Sequence, residues 1–249
     1  MHRGNRIEAS GVSTLQRDRQ DSGVEVLRLD RPDARNAMST ALLEELLAAL
    51  AELAADETLR TLVISTTSER ALSAGADVAE DLDPAGGVAR MELFARMYSA
   101  VDAFPLPTVA VCVGNVVGAG AELAAGCDLR VGGDNLKLSW AGARLGVPVG
   151  PARLVPLIGL SRAKELILTG RVVGADEALA IGFLHRSVAA GEAEAAAIEL
   201  AGSVAAFPPD GLRRVKGMFR ELEGTAARID YENDLLLQFQ RHGAGLPRR

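Results

Sequence analysis

A single carboxylate stands inside a long apolar run. Residues 108–127, TVAVCVGNVVGAGAELAAGC, carry one charge, Glu122. Their length alone would allow a membrane span. Gly114, Gly118, Gly120 and Asn115 interrupt the run, and Pro105 and Pro107 stand just before it. The reading that fits these residues is a buried strand, a glycine turn and a buried helix, so no membrane partner is expected. A carboxylate taken out of water is costly and its proton affinity rises. That is the setting of a general acid or base. A carboxylate at a helix start, held by free N–H groups and the macrodipole, accounts for the same residue equally well.

Charge and composition narrow the class further. The chain has 249 residues, with 27 Lys plus Arg against 33 Asp plus Glu, a net charge of −6. Such a chain lacks the basic surface that neutralises phosphates, so no nucleic-acid partner is expected. Its 48% of hydrophobic residues excludes a disordered chain. Cys112 and Cys127 are too few for a disulfide framework or a zinc cage. They read as reduced thiols in a cytoplasmic protein, and no metal site is expected. The start, MHRGNRIEAS, has no apolar run and is not read as a signal peptide.

The chain is organised as alternating strands and helices, then helices alone. Residues 1–22 are a polar lead-in; 23–190 form the core; 191–249 form a C-terminal helical region. Strands are predicted over 24–29, 61–65, 108–113 and 128–131, with another at 137–139. Ser39 can cap a helix running to about Ala55, with Leu42, Leu43, Leu46, Leu47, Leu50 and Leu53 on one face. A second helix is predicted over 88–103. Beyond residue 150 come six helical segments, 151–158, 161–168, 175–181, 192–205, 209–221 and 225–239. Strand–helix alternation predicts right-handed crossovers and an α/β fold.

Two turns can carry chemistry. In Leu72-Ser73-Ala74-Gly75-Ala76-Asp77 small residues let backbone N–H groups approach a ligand, and Asp77 can cap the segment after it. Gly118-Ala119-Gly120 leads from strand to helix and offers N–H groups to an anion, without a dinucleotide or Walker fingerprint.

LDRPDARNAM (29–38), LSAGAD (72–77), PTVAVCVGNVVGAGAELAAGCDLRV (107–131) and LGVPVG (145–150) occur in this order over residues 23–240. Together they resemble the enoyl-CoA hydratase/isomerase (crotonase) family. The resemblance implies a crotonase-like spiral of ββα units with a helical C-terminal trimerisation region, giving a homotrimer or hexamer. It implies an acyl-CoA thioester as substrate, with no cofactor besides. The backbone N–H groups of Ala76 and Ala119 would be the two arms of an oxyanion hole, and Glu122 one of two catalytic glutamates. Arg35 would touch a CoA phosphate, and Ala74 and Asp77 would lie at the adenine end.

The sequence departs from that pattern in three places. Val113 replaces an asparagine, and Ala119 a glycine whose absence threatens to crowd the thioester. The second glutamate is missing: Gly142 stands there, and no Asp or Glu occurs from Asn135 through Lys164. Water addition of this type uses two carboxylates, so hydration is doubtful. An acyl-CoA-binding protein that has lost its chemistry is the alternative. Trp140 either fills the space of the lost acid or packs in the core. Lys216 either reaches a CoA phosphate or lies on a solvated face. His185 reads as structural, and the acidic run 80–83 as a surface loop rather than a substitute acid.

Overall fold

The computed structural model describes residues 13–246. Residues 1–12 of the lead-in, His2 among them, lie outside the described residues. The sheet strands are β1 (Leu15–Arg19), β2 (Val24–Leu29), β3 (Thr61–Thr66), β4 (Ala71–Ser73), β5 (Thr108–Cys112), β6 (Asn115–Val117), β7 (Leu129–Gly133), β8 (Lys137–Ser139) and β9 (Arg186–Val188). The helices are α1 (Thr40–Ala55), α2 (Pro84–Asp102), α3 (Ala119–Gly126), α4 (Pro151–Ile158), α5 (Leu160–Thr169), α6 (Ala175–Ala180), α7 (Ala193–Ala205), α8 (Pro209–Glu223) and α9 (Thr225–His242).

Six strands make one sheet in the order β1-β2-β3-β5-β7-β9, parallel except for β1. A second, three-stranded parallel sheet holds β4-β6-β8. Each of its strands comes after a strand of the large sheet, β3 to β4, β5 to β6, β7 to β8. A repeated ββ unit thus lays two sheets side by side, and the architecture is α/β.

The large sheet is covered on both faces, which is why its strands read as nearly continuous apolar runs. In β5, Val109 and Val111 join one cluster while Ala110 and Cys112 join the other. The valine face packs against Ala193, Ala197 and Ala201, one small stripe along α7. Helix α7 is therefore part of the core, and the expected division at residue 190 separates it from the sheet it covers. The lead-in is corrected too: β1 pairs with β2 in antiparallel register, and Arg17 and Arg19 both bind the buried Glu25.

Local signals explain the helices that flank the site. The Ser39 side chain accepts from Leu42 N, and Leu42, Leu43, Leu46, Leu50 and Leu53 are buried, with Leu47 half-buried. Helix α2 begins earlier than predicted, at Pro84, because Asp83 accepts from Gly86 N at 2.6 Å. Residues 108–127 are β5, β6 and α3, and no helix among the described residues is long and apolar enough to cross a membrane.

Candidate active site

The loop after β4 is held by the segment before α1. Ala74 N donates to Arg35 O, Met38 N to Gly75 O and Asp77 N to Met38 O. Gly75 N donates to Ser73 Oγ. The N–H groups of 74, 75 and 77 are thus consumed, while that of Ala76 has no acceptor among the described residues. Buried Asn36 organises this junction. Its Oδ1 accepts from Arg31 N, and its Nδ2 donates to Thr66 Oγ1 and Ala71 O. Its φ of 52° is a left-handed conformation that asparagine tolerates better than most residues. In the sequence the charge of neighbouring Arg35 stands out, whereas nothing local marks Asn36.

The second turn packs directly on the first. Gly75 has φ +97°, and a Cβ there would lie 2.9 Å from Val117 O and 3.6 Å from Ala119 N. The close approach brings the Ala76 and Ala119 backbones to one cavity. Ala119 is the first residue of α3, where an N–H has no partner within the helix, and it has none elsewhere among the described residues. Ala119 is not among the positive-φ residues, so its methyl brings no backbone strain.

The cavity has a volume of about 200 Å³. Ala74, Ala76 and Ala119 line it together with Phe94, Tyr98 and Leu236. Gly142 also lines it, and no carboxylate does among the described residues. Glu122 lies one turn along α3 from Ala119, 1% exposed, behind that wall. Its Oε2 accepts from Arg153 Nε at 2.5 Å. Burial pushes its carboxyl up to about 7; Arg153 opposes this and Glu232 reinforces it.

The remaining candidates are separated by the fold. Asp77 does not line the cavity; it pairs with Arg31 at 3.0 Å and accepts from Ala79 N as a turn residue. Arg35 is exposed and lines a different recess, with Arg70 and Lys137. Lys216 meets neither expectation: it is buried, donating to Asp128 Oδ2 at 2.7 Å and Leu106 O at 3.0 Å. The acidic run is structural, with Glu80 pairing Arg90 and accepting from Thr40 N, and Asp83 capping α2. His185 Nδ1 accepts from Arg130 N. Trp140 is buried, edge-on to Phe183 with centroids 5.5 Å apart. Burial pushes the Cys112 and Cys127 thiols up to about 12, away from nucleophilic character.

The family model for enoyl-CoA hydratase/isomerase matches residues 19–242. A Thermus thermophilus protein assigned by name to the enoyl-CoA hydratases is 37% identical over 212 residues, covering 81% of this chain and 82% of its own. The crystal structure of an enoyl-CoA hydratase from Bacillus anthracis superposes with a TM-score of 0.80 at 27% identity, covering 94% of this chain and 98% of that one. A monofunctional enoyl-CoA isomerase from M. smegmatis gives 0.73 at 28% identity, covering 86% and 95%. The family match extends through both turns, the cavity and the buried glutamate, and the chain belongs to the enoyl-CoA hydratase/isomerase family.

Proposed function

We propose that the protein converts acyl-CoA thioesters through an enolate. The Ala76 and Ala119 N–H groups receive the thioester oxygen, and Glu122 is the one acid/base. The observation that carries this reading is the pair of unused N–H groups on one apolar cavity. Fixed dipoles aimed at an oxygen that gains charge stabilise the transition state without reorganisation. One carboxylate suffices to move a proton at carbon. Adding water calls for a second, and no Asp or Glu occurs from Asn135 through Lys164, so hydration is disfavoured against proton transfer.

The test is turnover of short, medium and long trans-2-enoyl-CoA and 3-enoyl-CoA by wild type and Glu122→Gln, tracked by the conjugated thioester absorbance. Glu122→Gln is expected to lose about 10²–10⁴-fold in kcat. Unchanged turnover would remove Glu122 from the chemistry. A second reading, an acyl-CoA-binding protein without turnover, is favoured by the Arg153 pair that ties up Glu122 Oε2 behind the wall. Micromolar binding with no turnover of any thioester would select it.

A homotrimer or hexamer is part of the same proposal. Val215, Met218, Phe219 and Leu222 form an exposed apolar stripe at helical spacing on α8. A second copy of the chain would cover it. A monomeric mass in sedimentation would overturn that assignment.

A further inference from the structure

The Glu122 carboxyl is surrounded by groups from several other places in the chain. Arg153 of α4 donates from Nε to Glu122 Oε2, and from Nη2 to Glu232 Oε1 of α9. Glu232 Oε2 accepts from Ala152 N at 2.8 Å. The guanidinium lies 4.5 Å over the Tyr98 ring of α2, and Tyr98 is also a cavity wall. Trp140 and Glu122 both lie against Gly150: a Cβ there would lie 3.0 Å from Trp140 Cδ1 and 3.3 Å from Glu122 Oε1, and the Trp140 indole lowers the Glu122 carboxyl. Arg153 and Glu122 side chains are at most 2% exposed, and Glu232 6%.

One guanidinium between two carboxylates leaves the set with an excess negative charge when all three are ionised. Burying an uncompensated charge is expensive, so one carboxyl is driven to hold a proton. The hydrogen bonds decide which one. Both oxygens of Glu232 are engaged, each by an N–H donor. Glu122 Oε1 accepts no bond of good geometry among the described residues, and the Trp140 indole N–H, which lowers the carboxyl, is equally without a settled partner.

We infer that Arg153 and Glu232 are positioning residues for Glu122, sharing one guanidinium between two buried carboxylates so that Glu122 Oε1 is the atom that takes up and releases a proton. The inference rests on the acid/base reading of Glu122 for its use in catalysis, though not for the titration itself. The titratable groups that bear on Glu122 are Arg153, Glu232 and Tyr98. Burial is the largest influence and raises the carboxyl to about 7, with the Glu232 charge adding to it and Arg153 lowering it. Burial also pulls the Arg153 guanidinium down, but its two carboxylates outweigh that and the net direction is up. Helix α9 thereby acts on the proton of a residue to which it makes no hydrogen bond of its own.

The experiment is a carbon-13 NMR titration of glutamate side-chain carboxyls in the intact protein. Glu122→Gln and Glu232→Asp assign the two resonances, and kcat and KM are measured against pH in parallel. In wild type the Glu122 resonance is expected to titrate near 7. Glu232→Gln removes one buried charge and is expected to move the Glu122 midpoint down by about one pH unit. The kcat profile should shift with it at unchanged KM, and Arg153→Lys, which keeps the charge, should hold the midpoint near wild type. A Glu122 midpoint at the ordinary 4.5 in wild type overturns the inference without any variant. So does an unmoved midpoint in folded Glu232→Gln. A midpoint that moves while the kcat profile stays fixed upholds the positioning and refutes the catalytic role of Glu122 instead.

Discussion

Gly120 lies against Ser73 so closely that a Cβ on it would stand 2.5 Å from the Ser73 carbonyl oxygen. This contact joins the first turn of α3 to the end of β4, and it sets the spacing between the Ala119 and Ala76 N–H groups. A side chain at 120 must push backbone, which yields far less readily than a rotamer. Gly120→Ala is expected to cost about 1–3 kcal/mol in denaturant unfolding and to abolish turnover even where the protein folds. Wild-type stability with full activity would show that the two turns move independently.

Lys216 separates a structural from a binding role. Its ammonium bridges α8 to Asp128 and to the Leu106 carbonyl, ahead of β5. Lys216→Ala is expected to lose about 1.5–3 kcal/mol of stability, the range for hydrogen bonds made by a charged group. Affinity for a CoA thioester, read by calorimetry, should not change. A tenfold weaker Kd at unaltered melting temperature would return Lys216 to the phosphate contact.

How much of the fold and the site is legible in the sequence depends on the distance over which each signal acts. Helix α1 announces itself through leucines at helical spacing and a serine cap, all within one short segment. Strands β4, β6, β8 and β9 have three residues each, too few to display a period, and of these only β8 is predicted. Strand β1 reads as a polar lead-in because LQRDR is largely exposed; its pairing with β2 makes it a strand. The two turns and Glu122 stand out because glycines and a lone carboxylate contrast with an apolar background. Their neighbour Arg153 does not, since it resembles any basic residue of an amphipathic helix. Its partner Glu232 lies 79 positions away. Nothing local marks either, and only the docking of α9 beside α4 makes them a set.

Glu122 also makes stability depend on pH in a definite direction. Its carboxyl titrates near 7 in the folded chain against an ordinary 4.5. Below 4.5 both states hold the proton. Between the two values the unfolded chain releases it first, so the stability that the protonated carboxyl contributes is lost as pH rises through 7. The melting temperature of wild type is expected to fall relative to Glu122→Gln across that window, and to stay parallel above and below it. A constant difference from about pH 4.5 to 8 would mean that the folded carboxyl titrates like a free one.

Ala119→Pro isolates the N–H proposed to receive the thioester oxygen from the helix that carries it. Ala119 is the first residue of α3, a position where proline fits because its φ is already helical and the missing N–H has no helical partner. Gly118 precedes it, and a residue without Cβ relieves part of the clash that proline imposes on its neighbour. The substitution therefore removes one N–H from the cavity and leaves Glu122, Arg153 and the α3 hydrogen bonds in place. If that N–H stabilises an enolate, kcat is expected to fall by about 10²–10³, while the melting temperature and the Kd for a saturated acyl-CoA stay close to wild type. Ala119→Gly is the matched control, restoring full backbone donation without the methyl, and should keep kcat. Equal activity of the proline and glycine variants would show that the thioester oxygen is not held at Ala119.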